Sequence, residues 1–180
     1  MPHTISKDFE FCYGHRVWSQ VLNGEYSDNL LCACRHLHGH EAKVTVSLTA
    51  DQLVDGMVTD FRHLEWLKRF LNTHVDHQFI IDANDPLFAR LVGDVNLSPV
   101  QIPGRDEIAG YTVDLEGVNV SGAEREMLEG FFVVDFVPTS ENLSAWLARV
   151  VSIKMRDLGV AVSNVVWWES PKSRSQYDVL

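Results

Sequence analysis

The chain has 180 residues, 46% of them hydrophobic and 22% charged, with a formal charge of −10 from 15 Lys+Arg against 25 Asp+Glu. That composition is too apolar for disorder, and the length suits a single domain of residues 1–180 that buries roughly 70% of its unfolded surface without a disulfide or metal staple. The acidic balance excludes general nucleic-acid binding, and apolar runs such as Phe131 to Val134 are far too short to span a membrane.

The N-terminal MPHTISKDFEF lacks an apolar stretch of signal-peptide length, and three cysteines, two of them one residue apart, make no disulfide framework. A reducing, cytoplasmic setting is expected. Ile5, Lys7, Phe9, Phe11 and Tyr13 alternate with Ser6, Asp8, Glu10 and Cys12, which predicts a strand ending at Gly14-His15. A polar stretch with an Asn23-Gly24 turn leads to about Arg35. A second strand is predicted from Leu37 to Thr49, with Ala42, Val44, Val46 and Leu48 buried and His38 and His40 extending that face.

From Asp60 the period changes. Phe61, Leu64, Leu67 and Leu71 predict an amphipathic helix to about Asn72 with Asp60 as N-cap. HVDHQFI follows, then a turn at Asn84-Asp85-Pro86. Between Pro86 and Val137, strand-like pieces at Tyr111–Leu115 and Phe131–Val137 and a helical turn at Glu124–Leu128 suggest hairpins. A helix starts after Pro138, capped by Thr139 or Ser140, with Glu141 in its first turn and a stripe of Leu143, Trp146, Leu147 and Val150. Gly159 stops it. Val160 to Glu169 is apolar on both faces and predicts a sheltered strand, and the tail SPKSRSQYDVL is read as loop. The order of elements is that of an α+β fold.

Chemistry concentrates in CACRHLHGH, which holds Cys32, Cys34, His36, His38 and His40. Residues two apart on a strand point the same way, so His38 and His40 can present both imidazoles to one ion. A catalytic zinc needs a third protein ligand, and His15 at the end of the first strand is the best placed if the two strands pair antiparallel. Two other readings stand beside this one: hydrogen-bonded or surface histidines, and a closed structural site of Cys32, Cys34 and His38. Asp76-His77 pairs a carboxylate with an imidazole, Glu169 ends the most apolar strand, and Cys34 near a metal would be a low-pKa thiolate.

In this order the residues resemble one family. His15 after an aromatic strand, Cys34-x-x-x-His38-Gly39-His40, Asp60-Phe61, Asp76-His77, Pro138-Thr139-Ser140-Glu141-Asn142 and a late Glu169 look like the 6-pyruvoyltetrahydropterin synthase / 6-carboxytetrahydropterin synthase family, over most of residues 5–85 and 137–177, with Tyr177 in the tail. The resemblance implies the tunnelling fold: a four-stranded antiparallel sheet with two helices on one face, assembled through barrel-forming trimers into a homohexamer with active sites between subunits. It implies Zn2+ on His15, His38 and His40, a proton-accepting Cys34, a relay role for His77 with Asp76, and a Glu169 that grips the pterin ring. Thr139, Ser140 and Glu141 would shape the pterin pocket. The implied substrate is 7,8-dihydroneopterin triphosphate, and Arg16 and Lys43 are candidates for its triphosphate.

The three residues between Cys34 and His38 resemble the 6-carboxytetrahydropterin branch, which releases acetaldehyde and feeds 7-deazaguanine (queuosine) synthesis. The alternatives are the pyruvoyl branch and a pterin- or purine-binding protein without turnover. Three features depart from the family pattern: Glu41 after HGH, bulky Trp167-Trp168 before Glu169, and an atypical insertion at about 87–136 that either caps the site or enlarges the subunit interface.

Overall fold

The computed structural model describes residues 2–27 and 32–179. Strands β1 (His3–His15) and β2 (His38–Ala50) form the long antiparallel pair that the alternation predicts, in a register that sets His15 opposite His38 and Gly14 opposite Gly39. Phe9, Phe11, Tyr13, Ala42, Val44, Val46 and Leu48 face the core. β1 ends at His15, where the sequence places the end of the strand. A one-turn helix α1 (Gly24–Ser27) lies in the connection.

The segment predicted as one helix from Asp60 divides. Asp60 does cap it, accepting from the Arg62 N–H at 2.8 Å, but residues Phe61–Leu64 form a 3-10 turn before α2 (Glu65–His74). The tighter turn rotates Phe61 out of the stripe, leaving it 48% exposed, while Leu64, Leu67 and Leu71 are buried as expected. Of HVDHQFI, His74 ends α2 and Gln78 to Ile80 open β3 (Gln78–Asp82).

Residues 87–136 add α3 (Phe88–Leu91), β4 (Leu97–Gln101), β5 (Ile108–Val113), α4 (Gly122–Glu129) and β6 (Phe131–Val134). β3 runs parallel to both β1 and β6, and every residue of β6 is buried. Phe132 and Val134 join the main core, whereas Phe131 and Val133 join a second apolar cluster with Ile81, Val92 and Leu128. Burial on both faces is typical of parallel strands.

Thr139 caps α5 (Ser140–Met155), accepting from the Asn142 N–H, and Gly159 ends the following 3-10 turn with φ of 68°. β7 (Ala161–Ser170) then pairs with β2. The tail is not a loop: residues Ser173–Asp178 form β8, antiparallel to β7. Thus β7 is an interior strand, β8 is the edge, and β7's outward face is only half-covered, with Lys43 and Arg174 stacked on Trp168.

One sheet of eight strands results, in the order β4-β5-β6-β3-β1-β2-β7-β8. Its antiparallel β1-β2-β7-β8 half, with α2 and α5 packed over the Phe9–Val44–Trp167 face, has the four-strand, two-helix layout expected, and β3 to β6 extend it. Among the described residues, no helix is long and apolar enough to cross a membrane.

Candidate metal centre

The in-register end of the β1–β2 pair brings three imidazoles together. His15 Nε2 lies 3.0 Å from His38 Nε2 and 3.1 Å from His40 Nε2. Zinc–nitrogen bonds of about 2.0–2.1 Å at tetrahedral angles would separate ligand nitrogens by about 3.3 Å, so the cluster needs almost no rearrangement to hold an ion. Cys32 and Cys34 are not part of it, which removes the closed Cys/Cys/His38 site; the Cys32 thiol donates instead to Gln20 Oε1.

Backbone carbonyls set the tautomers. His15 Nδ1 lies 2.6 Å from the Pro138 carbonyl and His38 Nδ1 lies 2.8 Å from the His36 carbonyl. A carbonyl only accepts, so both Nδ1 atoms carry the proton and both Nε2 atoms present lone pairs. Two lone pairs 3.0 Å apart repel unless a cation stands between them. Burial lowers the His15 pKa to about 4, helped by the neighbouring His38 and His40 and opposed by the Pro138 carbonyl, so its ring stays neutral. Burial also lowers that of His40, against the opposing charge of Glu169. Converging imidazoles, two of them oriented through the far nitrogen, are the donor set of a metal site.

Around this cluster stand the other residues singled out in the sequence. Glu169 Oε1 is 3.8 Å from His15 Nε2 and accepts from the Tyr13 hydroxyl at 3.4 Å. Thr139, Ser140 and Glu141 follow Pro138, whose carbonyl holds His15, so the start of α5 lies beside the cluster. Cys34 is near enough to feel the Glu169 charge. In the metal-free chain partial desolvation, then Cys32, then Glu169 push its thiol pKa up.

The chain belongs to a family. The family model described as 6-pyruvoyl tetrahydropterin synthase matches residues 4–179. This chain is a member of the 6-pyruvoyl tetrahydropterin synthase family. A 6-carboxy-5,6,7,8-tetrahydropterin synthase of Aquifex aeolicus is 30% identical over 187 residues, 98% of each chain. A protein of that same name from Haemophilus influenzae is 30% identical over 118 residues, 59% of this chain and 77% of its own. Among solved structures, an uncharacterized protein of Wolinella succinogenes superposes with a TM-score of 0.92 at 44% identity, covering 100% of this chain and 99% of that one. The 6-pyruvoyl tetrahydropterin synthase of Plasmodium vivax, at 17% identity and a TM-score of 0.57 over 98% of this chain and 97% of that one, shares the fold.

In this pterin synthase family member, Asp76 and His77 lie across an open depression from His38 and His40 and, among the described residues, make no hydrogen bond or ion pair to the histidine cluster. Asp76 accepts from the Cys12 N–H at 2.9 Å and sits 3.0 Å from His77 Nδ1. The His77 side chain is 80% exposed, on a backbone with φ of 60° that the bond from its N–H to the Cys12 carbonyl helps hold. That depression, of about 650 Å³, is lined by His77 together with Tyr13, His38, His40, Glu41 and Phe79. Arg16 and Lys43 already have carboxylate partners. Arg16 Nε is 3.0 Å from buried Asp85, and Lys43 is 3.3 Å from Asp8. Sequence reasoning passed over the Pro138 carbonyl and Tyr13. The second had a signal: Tyr13 is two residues before His15 and so shares its face of β1.

Proposed function

We propose that this chain is a zinc-dependent 6-carboxy-5,6,7,8-tetrahydropterin synthase, a lyase that converts 7,8-dihydroneopterin triphosphate to 6-carboxytetrahydropterin, acetaldehyde and triphosphate. The observation that carries the proposal is the set of three imidazoles that converge through their Nε2 atoms, with Glu169 Oε1 3.8 Å from His15 Nε2. The carboxytetrahydropterin synthase relative from Aquifex aeolicus, aligned over 98% of the chain, supports the choice of branch, as does the spacing from Cys34 to His38.

His15, His38 and His40 would hold the zinc, a borderline-soft ion suited to three imidazoles with a position left open. Bound there, it would supply Lewis-acid polarisation of the substrate's side-chain oxygens. Glu169 grips the N–H edge of the pterin, which a carboxylate can meet with both oxygens, and Thr139, Ser140 and Glu141 border the ring. Cys34 accepts a proton from the activated side chain. Because its thiol pKa is raised in the free chain, this role depends on positive charge arriving beside it with the loaded site. His77, oriented by Asp76, returns a proton as triphosphate leaves.

The family resemblance supports a cytoplasmic homohexamer with active sites between subunits, and His77 reaches the site through the depression that it shares with His38 and His40. Substrate consumption by metal-free, zinc-reloaded and Cys34→Ala protein tests the proposal. Turnover should require zinc and be lost in the variant. Full turnover in Cys34→Ala, or turnover untouched by metal removal, would overturn it.

A further inference from the structure

Glu169 is held asymmetrically. Its Oε1 faces the Tyr13 hydroxyl at 3.4 Å and His15 at 3.8 Å, while among the described residues its Oε2 has no hydrogen-bond partner in the chain. Behind Tyr13 the buried Trp167 indole N–H points at the same hydroxyl, 3.2 Å away. The direction of this chain is forced by its chemistry. An indole N–H can only donate and a carboxylate can only accept, so the hydroxyl must accept from Trp167 and turn its single proton toward Glu169. Both rings are buried, Tyr13 at 3% and Trp167 at 0% exposure, so the hydroxyl has few alternatives.

Packing fixes the tyrosine as firmly as the hydrogen bonds do. Its ring stands edge-on to His15 at 5.0 Å and to Trp167 at 5.4 Å, and it lies 5.7 Å from His40. Phe11 in turn meets Trp167 edge-on at 5.3 Å. One side chain therefore touches two of the three histidines and reaches the acid beside them.

We propose that Tyr13, backed by Trp167, is a positioning residue that sets the Glu169 carboxylate relative to the histidine cluster, holding Oε1 inward and leaving Oε2 to receive the pterin; this rests on the reading of Glu169 as the group that grips the pterin. A carboxylate has about four lone-pair sites, so Oε1 can keep Tyr13 and still accept from a ligand. Trp167, two residues before Glu169, thereby acquires a purpose, as the donor that orients the tyrosine.

The test compares zinc-loaded wild type with Tyr13→Phe, Trp167→Phe and Glu169→Ala. It measures binding of 7,8-dihydroneopterin (which lacks the triphosphate) by fluorescence titration, KM and kcat for the triphosphate, zinc affinity and Tm. Tyr13→Phe keeps the ring and its packing but removes the donor. At 3.4 Å the bond is a long one to a charged acceptor, and its loss should weaken dihydroneopterin binding about five- to tenfold and raise KM similarly. Zinc affinity should stay within about twofold, which a merely structural role would not require. Trp167→Phe should shift binding in the same direction by less. Weakened binding in Glu169→Ala with none in Tyr13→Phe would overturn the positioning role while leaving the reading of Glu169 intact. Unchanged binding in Glu169→Ala would overturn both.

Discussion

Gly39 separates His38 from His40 and faces Gly14 across the β1–β2 pair. A Cβ built on it would stand 2.9 Å from the Tyr13 carbonyl oxygen, against an ordinary contact of about 3.4 Å, and the atom it meets is backbone. In Gly39→Ala the two strands must therefore part by about half an ångström at the register that sets His15 against His38. Overpacking of this kind costs about 1–3 kcal/mol, which in a domain of this size lowers Tm by roughly 3–10 °C. The same displacement turns His38 and His40 relative to His15, and lone pairs that no longer meet at one point should lower zinc affinity about tenfold or more. Thermal melts of the metal-free protein, paired with competitive zinc titration, read the two effects separately. A Tm within about 1 °C of wild type together with unchanged zinc affinity would refute the reasoning that the glycine pair sets the spacing of the ligands.

Further outcomes follow from the same geometry. Asp85→Ala removes the carboxylate of a buried pair, leaving Arg16 uncompensated, and should destabilise the fold by about 3 kcal/mol in urea unfolding; a loss below about 1 kcal/mol would contradict it. In the metal-free protein His15 stays neutral with a pKa lowered to about 4, so between pH 6.5 and 4 the unfolded chain binds a proton that the folded chain does not. Stability from this group is full above pH 6.5 and declines by about 3 kcal/mol as pH falls to 4, and His15→Gln should flatten that part of the pH–stability curve. Chelation should abolish turnover while far-UV circular dichroism at 25 °C is unchanged, because the hydrophobic core is built from apolar side chains that no metal holds together; unfolding on chelation would contradict this.

The histidine cluster was legible because it obeys a two-residue period. His15 continues the Phe9–Phe11–Tyr13 face, and His38 and His40 begin the Ala42–Val44 face, so antiparallel pairing alone brings them together. What orients them was not legible. The Pro138 carbonyl reaches His15 from a residue 123 positions away, and no local pattern encodes that contact. β8 was missed because Ser173, Arg174, Ser175 and Gln176 carry no apolar alternation; an edge strand is held by its backbone ladder to β7. The β3–β6 half was read only as fragments, since strands buried on both faces show a short apolar run instead of a period. Phe61 fits a helical spacing in sequence, yet a 3-10 turn carries it to the surface.

The central claim, that this site cleaves the pterin side chain, is tested most directly by product identification. Zinc-loaded protein would be incubated anaerobically with 7,8-dihydroneopterin triphosphate, with the pterin product followed by mass and acetaldehyde by a coupled assay. The account predicts 6-carboxytetrahydropterin and acetaldehyde in equal amounts. The pyruvoyl product without acetaldehyde, or tight zinc-dependent pterin binding with no turnover, would contradict it.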